Sequence, residues 1–167
     1  MNLHENVLPK EELEKYVKDL NELKGKPVWN NSQHIWPTAI RRSIVGTVNT
    51  TPLKIAEPPL NKYFEEYEAK RIVYQYCIWG RMSGISSHFD TKYAFAATLY
   101  LNEKWDKDWG GILVWDNKEW WDKCLVALCP KQNSMVVNDG SKEHMVTLIS
   151  PCAKEDRLTM QIWGFAH

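Results

Sequence analysis

The chain has 167 residues, 44% hydrophobic and 25% charged, which predicts one soluble domain with a sizeable core. Lysine plus arginine and aspartate plus glutamate both number 21, so the formal charge is zero; that argues against a nucleic-acid or anionic-membrane partner held by bulk charge. No apolar run approaches a membrane span, residues 1–24 are polar with no hydrophobic leader, and Cys77, Cys124, Cys129 and Cys152 form no CxxC pair. These features predict reduced thiols and a cytoplasmic protein.

Leu13, Tyr16, Val17, Leu20 and Leu23 recur at helical spacing, and Gly25 and Pro27 stop the run, so an amphipathic helix is predicted there. Residues 28–56 scatter Trp29, Trp36, Ile40, Ile44, Val45 and Val48 among turn residues, which predicts loops and one or two strands. Pro58-Pro59 opens a second helical stretch with Leu60, Tyr63, Phe64 and Tyr67 on one side. From residue 71 the texture turns to short β-rich runs at 71–79, 93–101, 112–115, 124–129, 135–137, 144–149 and 158–163. Turn signals such as Ser83-Gly84, Gly110-Gly111 and Asn138-Asp139-Gly140 separate them. The expected fold class is α+β, mainly β. A sandwich or jelly-roll core at 71–165 is supported by helices and loops of 1–70, within one domain spanning 1–167. Five of the nine tryptophans lie between Trp105 and Trp121, where they suit a core, an interface or a substrate wall.

The chemistry concentrates at His88-Phe89-Asp90, read together with His144. Two imidazoles and one carboxylate suit a ferrous ion that keeps open positions for oxygen and a co-substrate. In a strand or at its edge, residues i and i+2 point the same way, so His88 and Asp90 are expected to share one metal while Phe89 enters the core. A third ligand from a distant strand, His144, would close one face.

In that setting the chain resembles the Fe(II)- and 2-oxoglutarate-dependent dioxygenases, in particular their prolyl 4-hydroxylase-like branch. Four pieces carry the resemblance in order. They are Tyr76 to Gly80 leading into His88-Phe89-Asp90, then Thr98-Leu99-Tyr100-Leu101-Asn102, then Gly110-Gly111-Ile112-Leu113-Val114-Trp115, and finally Pro130 to Val137 leading to His144-Met145-Val146, Arg157 and Trp163. The resemblance implies a double-stranded β-helix with supporting N-terminal helices. It implies His88, Asp90 and His144 as iron ligands and Arg157 as partner of the distal carboxylate of 2-oxoglutarate. Tyr100 would assist at that carboxylate, or else is a packed strand aromatic, and Tyr76 is a lesser candidate. Relatives use either Lys or Arg for this task, which makes Lys154 a rival. Arg157 is preferred because Trp163 follows it by six residues and because a guanidinium holds a carboxylate bidentately.

The implied reaction is oxidative decarboxylation of 2-oxoglutarate to succinate and carbon dioxide, coupled to hydroxylation of an aliphatic carbon by dioxygen, with ascorbate in support. The carboxylate at Asp90 favours hydroxylation over halogenation, since halogenating relatives carry a small residue there. The first substrate expectation is a prolyl residue of a peptide or protein. A free amino acid or small metabolite is the second. Outside this class stand a cupin-type metal enzyme and a non-catalytic metal-binding jelly-roll module.

Overall fold

The computed structural model describes residues 1–35, 44–53, 60–117 and 124–166. Seven strands make the larger sheet: β1 (Asn2–Glu5), β2 (Asn30–Ile35), β3 (Ile44–Leu53), β4 (Arg71–Trp79), β6 (Phe95–Tyr100), β9 (Ser134–Asn138) and β11 (Arg157–Phe165). Their order across the sheet is β1-β9-β6-β11-β4-β3-β2. The smaller sheet runs β5-β10-β7-β8, from β5 (Ile85–His88), β10 (His144–Val146), β7 (Leu113–Asp116) and β8 (Leu125–Leu128). Every strand pair in both sheets is antiparallel. The chain is therefore α+β and mainly β, a double-stranded β-helix.

Side chains alternate across a strand, and here the alternation separates two cores. Tyr74, Tyr76 and Ile78 of β4, with Leu158, Met160 and Ile162 of β11 and Phe95, Ala97 and Leu99 of β6, belong to one cluster. Helix α1 (Lys10–Leu23) covers that face with Leu13, Tyr16 and Leu20. The opposite side of the larger sheet presents Val48, Cys77, Trp79, Tyr100 and Val136 to Leu113 and Val146 of the smaller sheet. A strand buried on both faces shows little polar alternation, which is why 71–79 reads as a nearly continuous β-rich run.

Three expectations need correction. The stretch after Pro58-Pro59 forms two single-turn 3₁₀ helices, Asn61–Tyr63 and Glu65–Tyr67, rather than one α-helix. A break at Glu68, with φ 49°, ends the second of them, and Phe64 stacks on Phe95 at 4.3 Å. The aromatic spacing thus serves packing on the sheet rather than helical periodicity. The N-terminal third also supplies three strands to the larger sheet, including β1, which the polar sequence Asn2–Glu5 did not announce. An edge strand needs only backbone pairing on one side, so its sequence carries little apolar signal. Finally, Phe89 is 52% exposed instead of entering the core.

All four cysteines are free, with Cys77 buried and Cys152 exposed. Trp105 and Trp109 meet edge to face at 5.3 Å and pack, with Trp115, against the core between the sheets. Trp120 and Trp121 lie outside the described residues. No helix among the described residues is long and apolar enough to cross a membrane.

Candidate metal and anion site

Strands β5 and β10 pair so that His144 stands directly opposite His88. Trp115 of β7 flanks His144 on the other side. β5 stops at His88, and Asp90 begins a turn closed by the Tyr93 N–H donating to the Asp90 carbonyl at 3.1 Å. That turn, more than strand alternation, brings the carboxylate round to both rings. Asp90 Oδ1 lies 3.7 Å from His88 Nε2, and Oδ2 lies 3.3 Å from His144 Nε2. The two rings are 4.3 Å apart and tilted by 48°. One ligand atom from each residue lies within 4.8 Å of the others. Two bonds of about 2.1 Å at a right angle put ligand atoms about 3 Å apart, a separation that the Asp90–His144 contact approaches.

The far side of each imidazole is already committed. His88 Nδ1 donates to the Ser86 carbonyl at 2.8 Å, and His144 Nδ1 donates to the Lys142 carbonyl at 3.1 Å. This tautomer leaves both Nε2 lone pairs facing Asp90, the arrangement in which an imidazole binds a cation. Asn138, 3% exposed and at the end of β9, contacts His144 Nδ1 at 3.3 Å and hydrogen-bonds Asp90. Nothing in the sequence marks it beyond its place in the turn Asn138-Asp139-Gly140.

Burial alone would raise the Asp90 pKa, but the hydrogen bond and charge of His144, helped by His88 and Asn138, hold it below the ordinary carboxylate value. Burial would lower His144, yet the hydrogen bond to Asp90, then the Lys142 carbonyl and the Asp90 charge, raise it. In the metal-free protein, the His144 contribution to stability is complete below about pH 6.5 and is lost as pH rises through its raised pKa. The Asp90 contribution is present above about pH 3.9 and is lost as pH falls through its lowered pKa. The pair thus stabilises most between those limits. Metal competes with the proton on His144, so Mn(II) affinity is expected to fall as pH drops through the raised His144 value. Calorimetric titration of Mn(II) across about pH 6 to 8 checks this, and a flat profile would contradict it.

The triad lines a cavity of about 300 Å³, and Arg157 and Tyr100 line the same cavity. Arg157 opens β11 at 1% exposure, with its guanidinium 5.0 Å from the Trp79 ring and 5.2 Å from the Tyr100 ring. Its Nε and Nη1, and the Tyr100 hydroxyl, are buried without a hydrogen-bond partner among the described residues. Burial pushes the pKa of Arg157 down, with Tyr100 opposing, and pushes that of Tyr100 up, with Arg157 opposing. A buried guanidinium without an anion is costly to hold, and a carboxylate fits its free donors.

Among the sequence candidates, His88, Asp90, His144, Arg157 and Tyr100 meet in this cavity. Lys154 is exposed and does not line it. Tyr76 is buried in the core under α1, on the opposite face of β4. The sequence reading did not pick out the polar wall of Gln75, Thr98 and Gln161, in which Thr98 Oγ1 donates to Gln161 Oε1 at 2.9 Å. Residues 157, 159, 161 and 163 share one face of β11, so strand alternation from Arg157 would have found Gln161 and Trp163. Tyr93 and Trp163, 6.0 Å apart, complete the wall.

The residue pattern of the 2OG-Fe(II) oxygenase superfamily matches residues 73–165. Among solved structures, the fold is similar to a prolyl-4-hydroxylase from Pseudomonas putida, with TM-score 0.73 and 15% identity over 99% of this chain and 92% of that one. It is also similar to a prolyl hydroxylase from Trichoplax adhaerens, solved with a peptide fragment of the hypoxia inducible factor oxygen degradation domain. There the TM-score is 0.74 at 16% identity, over 99% of this chain and 83% of that one. A third similar structure is a non-heme alpha ketoglutarate dependent epimerase of nogalamycin biosynthesis, with TM-score 0.63 at 10% identity over 98% of this chain and 78% of that one. No curated protein sequence matches significantly. The superfamily pattern spans more than half of the chain, and the chain belongs to the 2OG-Fe(II) oxygenases, dioxygenases that use iron and 2-oxoglutarate.

Proposed function

We propose that the chain hydroxylates an aliphatic carbon, with a prolyl residue of a peptide or protein as the substrate. The observation that carries this reading is a single cavity lined both by His88, Asp90 and His144 and by the buried Arg157, whose Nε and Nη1 have no hydrogen-bond partner among the described residues. A metal at the triad and a carboxylate at Arg157 suit the two functional groups of 2-oxoglutarate.

In this reading His88, Asp90 and His144 hold Fe(II), and Arg157 pairs with the distal carboxylate while Tyr100 donates its hydroxyl. Lys154 is set aside because it is exposed. Iron with 2-oxoglutarate and dioxygen supplies the oxidising power for hydroxylation, releasing succinate and carbon dioxide. The chain's own side chains bind and orient. The Ser86 and Lys142 carbonyls fix the imidazoles, while Ile85, Leu113 and Val146 contribute apolar side chains to the cavity wall. Tyr93 and Trp163 offer ring faces against which a pyrrolidine can pack. The prolyl hydroxylases among the similar structures support that choice of substrate, and one of them is complexed with a peptide. A free amino acid or small metabolite is the second reading, favoured by the polar Gln75, Thr98 and Gln161 wall. The neutral charge supports neither a nucleic-acid nor a membrane partner, and the four free cysteines support the cytoplasm as compartment.

The test combines purified protein, Fe(II), ascorbate and 2-oxoglutarate with a panel of proline-containing peptides and free amino acids. Succinate formation and mass spectrometry for one added oxygen atom are the readouts. Oxygen added to a prolyl peptide supports the first reading, and oxygen added only to a free amino acid supports the second. No succinate under any condition would overturn both in favour of a non-catalytic jelly-roll module.

A further inference from the structure

We propose that Asn102 is a positioning residue for co-substrate binding, acting through Arg157 by pinning both peptide groups that flank it. This rests on the reading of Arg157 as partner of the 2-oxoglutarate carboxylate. On its β4 side, Arg157 is paired in register with Trp79. On its β6 side the ladder gives out, because β6 ends at Tyr100, opposite Thr159, and the last backbone bond runs from Leu101 N–H to the Leu158 carbonyl at 3.0 Å. The carboxamide of Asn102 continues the ladder where the backbone has stopped. Leu158 N–H donates to Asn102 Oδ1 at 2.7 Å, and Asn102 Nδ2 donates to the Asp156 carbonyl at 2.9 Å. The same Nδ2 also reaches Glu155 Oε2 at 3.2 Å.

Residues 156 and 158 are therefore fixed on either side of Arg157, which fixes the direction in which its Cα–Cβ bond leaves the strand. A four-torsion side chain that begins a strand has many rotamers, and direction at its root selects among them. Gly111, at φ +63°, completes the channel, since a Cβ there would stand 2.9 Å from Arg157 Cδ. The task needs one acceptor and one donor on a single planar group, which asparagine has and aspartate or serine lacks in that geometry. Asn102 is 4% exposed and its bond from the Leu158 N–H is buried, so losing the acceptor leaves a buried donor unsatisfied.

A structural strut would show the same hydrogen bonds, so the test includes a matched strut elsewhere. Asn133 clamps Leu8 in the same way, accepting from its N–H and donating to its carbonyl, both at 2.9 Å. Asn133 sits at φ 60°, so Asn133→Gly removes that clamp without backbone strain. The readout is the calorimetric dissociation constant of 2-oxoglutarate for the Mn(II)-loaded protein, with Mn(II) affinity and melting temperature measured alongside. Asn102→Ala is expected to weaken 2-oxoglutarate about tenfold and leave Mn(II) affinity at the wild-type level. Asn102→Ser keeps a short polar group without adding charge beside the Asp156 carbonyl and Glu155, and is expected to fall between; it carries the test if the alanine variant does not fold. Asn133→Gly is expected to lower the melting temperature without changing 2-oxoglutarate binding. Adding Asn102→Ala to Arg157→Ala is expected to cause no further loss.

Equal weakening in the two asparagine variants, or a further loss on top of Arg157→Ala, would overturn the positioning role. If Arg157→Ala weakens 2-oxoglutarate and neither Asn102 variant does, the positioning role alone fails. If Arg157→Ala changes nothing, the reading of Arg157 falls and takes the role of Asn102 with it.

Discussion

Arg157→Met is expected to leave the ligand-free protein as stable as the wild type or more so, while removing most of its affinity for 2-oxoglutarate. The two effects have one cause. The guanidinium is 1% exposed, and its Nε and Nη1 lack hydrogen-bond partners among the described residues. Without an anion it bears the desolvation cost of a buried charge with little return beyond the Trp79 and Tyr100 ring faces. Methionine fills similar volume without that desolvation cost, so the ligand-free variant is expected to melt no lower than the wild type. With 2-oxoglutarate present the balance reverses. Losing a buried, charge-assisted pair costs about 2–5 kcal/mol, or at least about 30-fold in affinity. Melting curves with and without 2-oxoglutarate, and calorimetry on the Mn(II)-loaded protein, measure both halves. A variant that melts far below the wild type yet binds 2-oxoglutarate normally would contradict the assignment. So would loss of binding in Lys154→Ala with Arg157→Met unaffected.

The second large effect is expected at the triad, and it is asymmetric. Asp90→Ala removes the charged member, and His88→Ala or His144→Ala an imidazole. Each is expected to weaken Mn(II) by more than the roughly 100-fold that loss of a supporting partner costs, and to bring succinate formation to background. The stability effects separate the two histidines. The His144 side chain is 10% exposed, that of His88 34%, and only His144 contacts Asn138. His144→Ala removes the more buried ring and leaves the Lys142 carbonyl without its Nδ1–H donor, which costs about 1–3 kcal/mol of stability in the metal-free protein. His88→Ala is expected to cost less, since its ring is the more exposed of the two. Apo-protein melting and metal titration of the same variants check the pattern. Metal bound normally after His144→Ala would remove the basis for the centre.

The strands were largely legible because each is a short apolar or β-branched run closed by turn residues. The 157–165 strand is an example: alternation puts Leu158, Met160 and Ile162 under α1 and Arg157, Gln161 and Trp163 on the cavity side. What could not be read were features whose cause lies elsewhere in the chain. β1 is an edge strand that pairs only with β9, so its sequence needs no apolar pattern. Phe64 and Tyr67 look helical in spacing, yet their places are set by stacking on Phe95. Tyr76 and Tyr100 look alike in sequence as strand tyrosines, and only the face that each strand turns to α1 separates them.

The sequence by itself determined the donor set: two imidazoles, one carboxylate and one late guanidinium, in an order that the superfamily shares. Chemistry of that kind depends on residue type, which is written in the chain. Only the tertiary structure decided that His144 lies opposite His88, that Asp90 reaches both from a turn, and that Asn102 grips the backbone around Arg157 across more than fifty residues of chain. Those are consequences of sheet register and of where strands end, and register is set by the packing of both cores together.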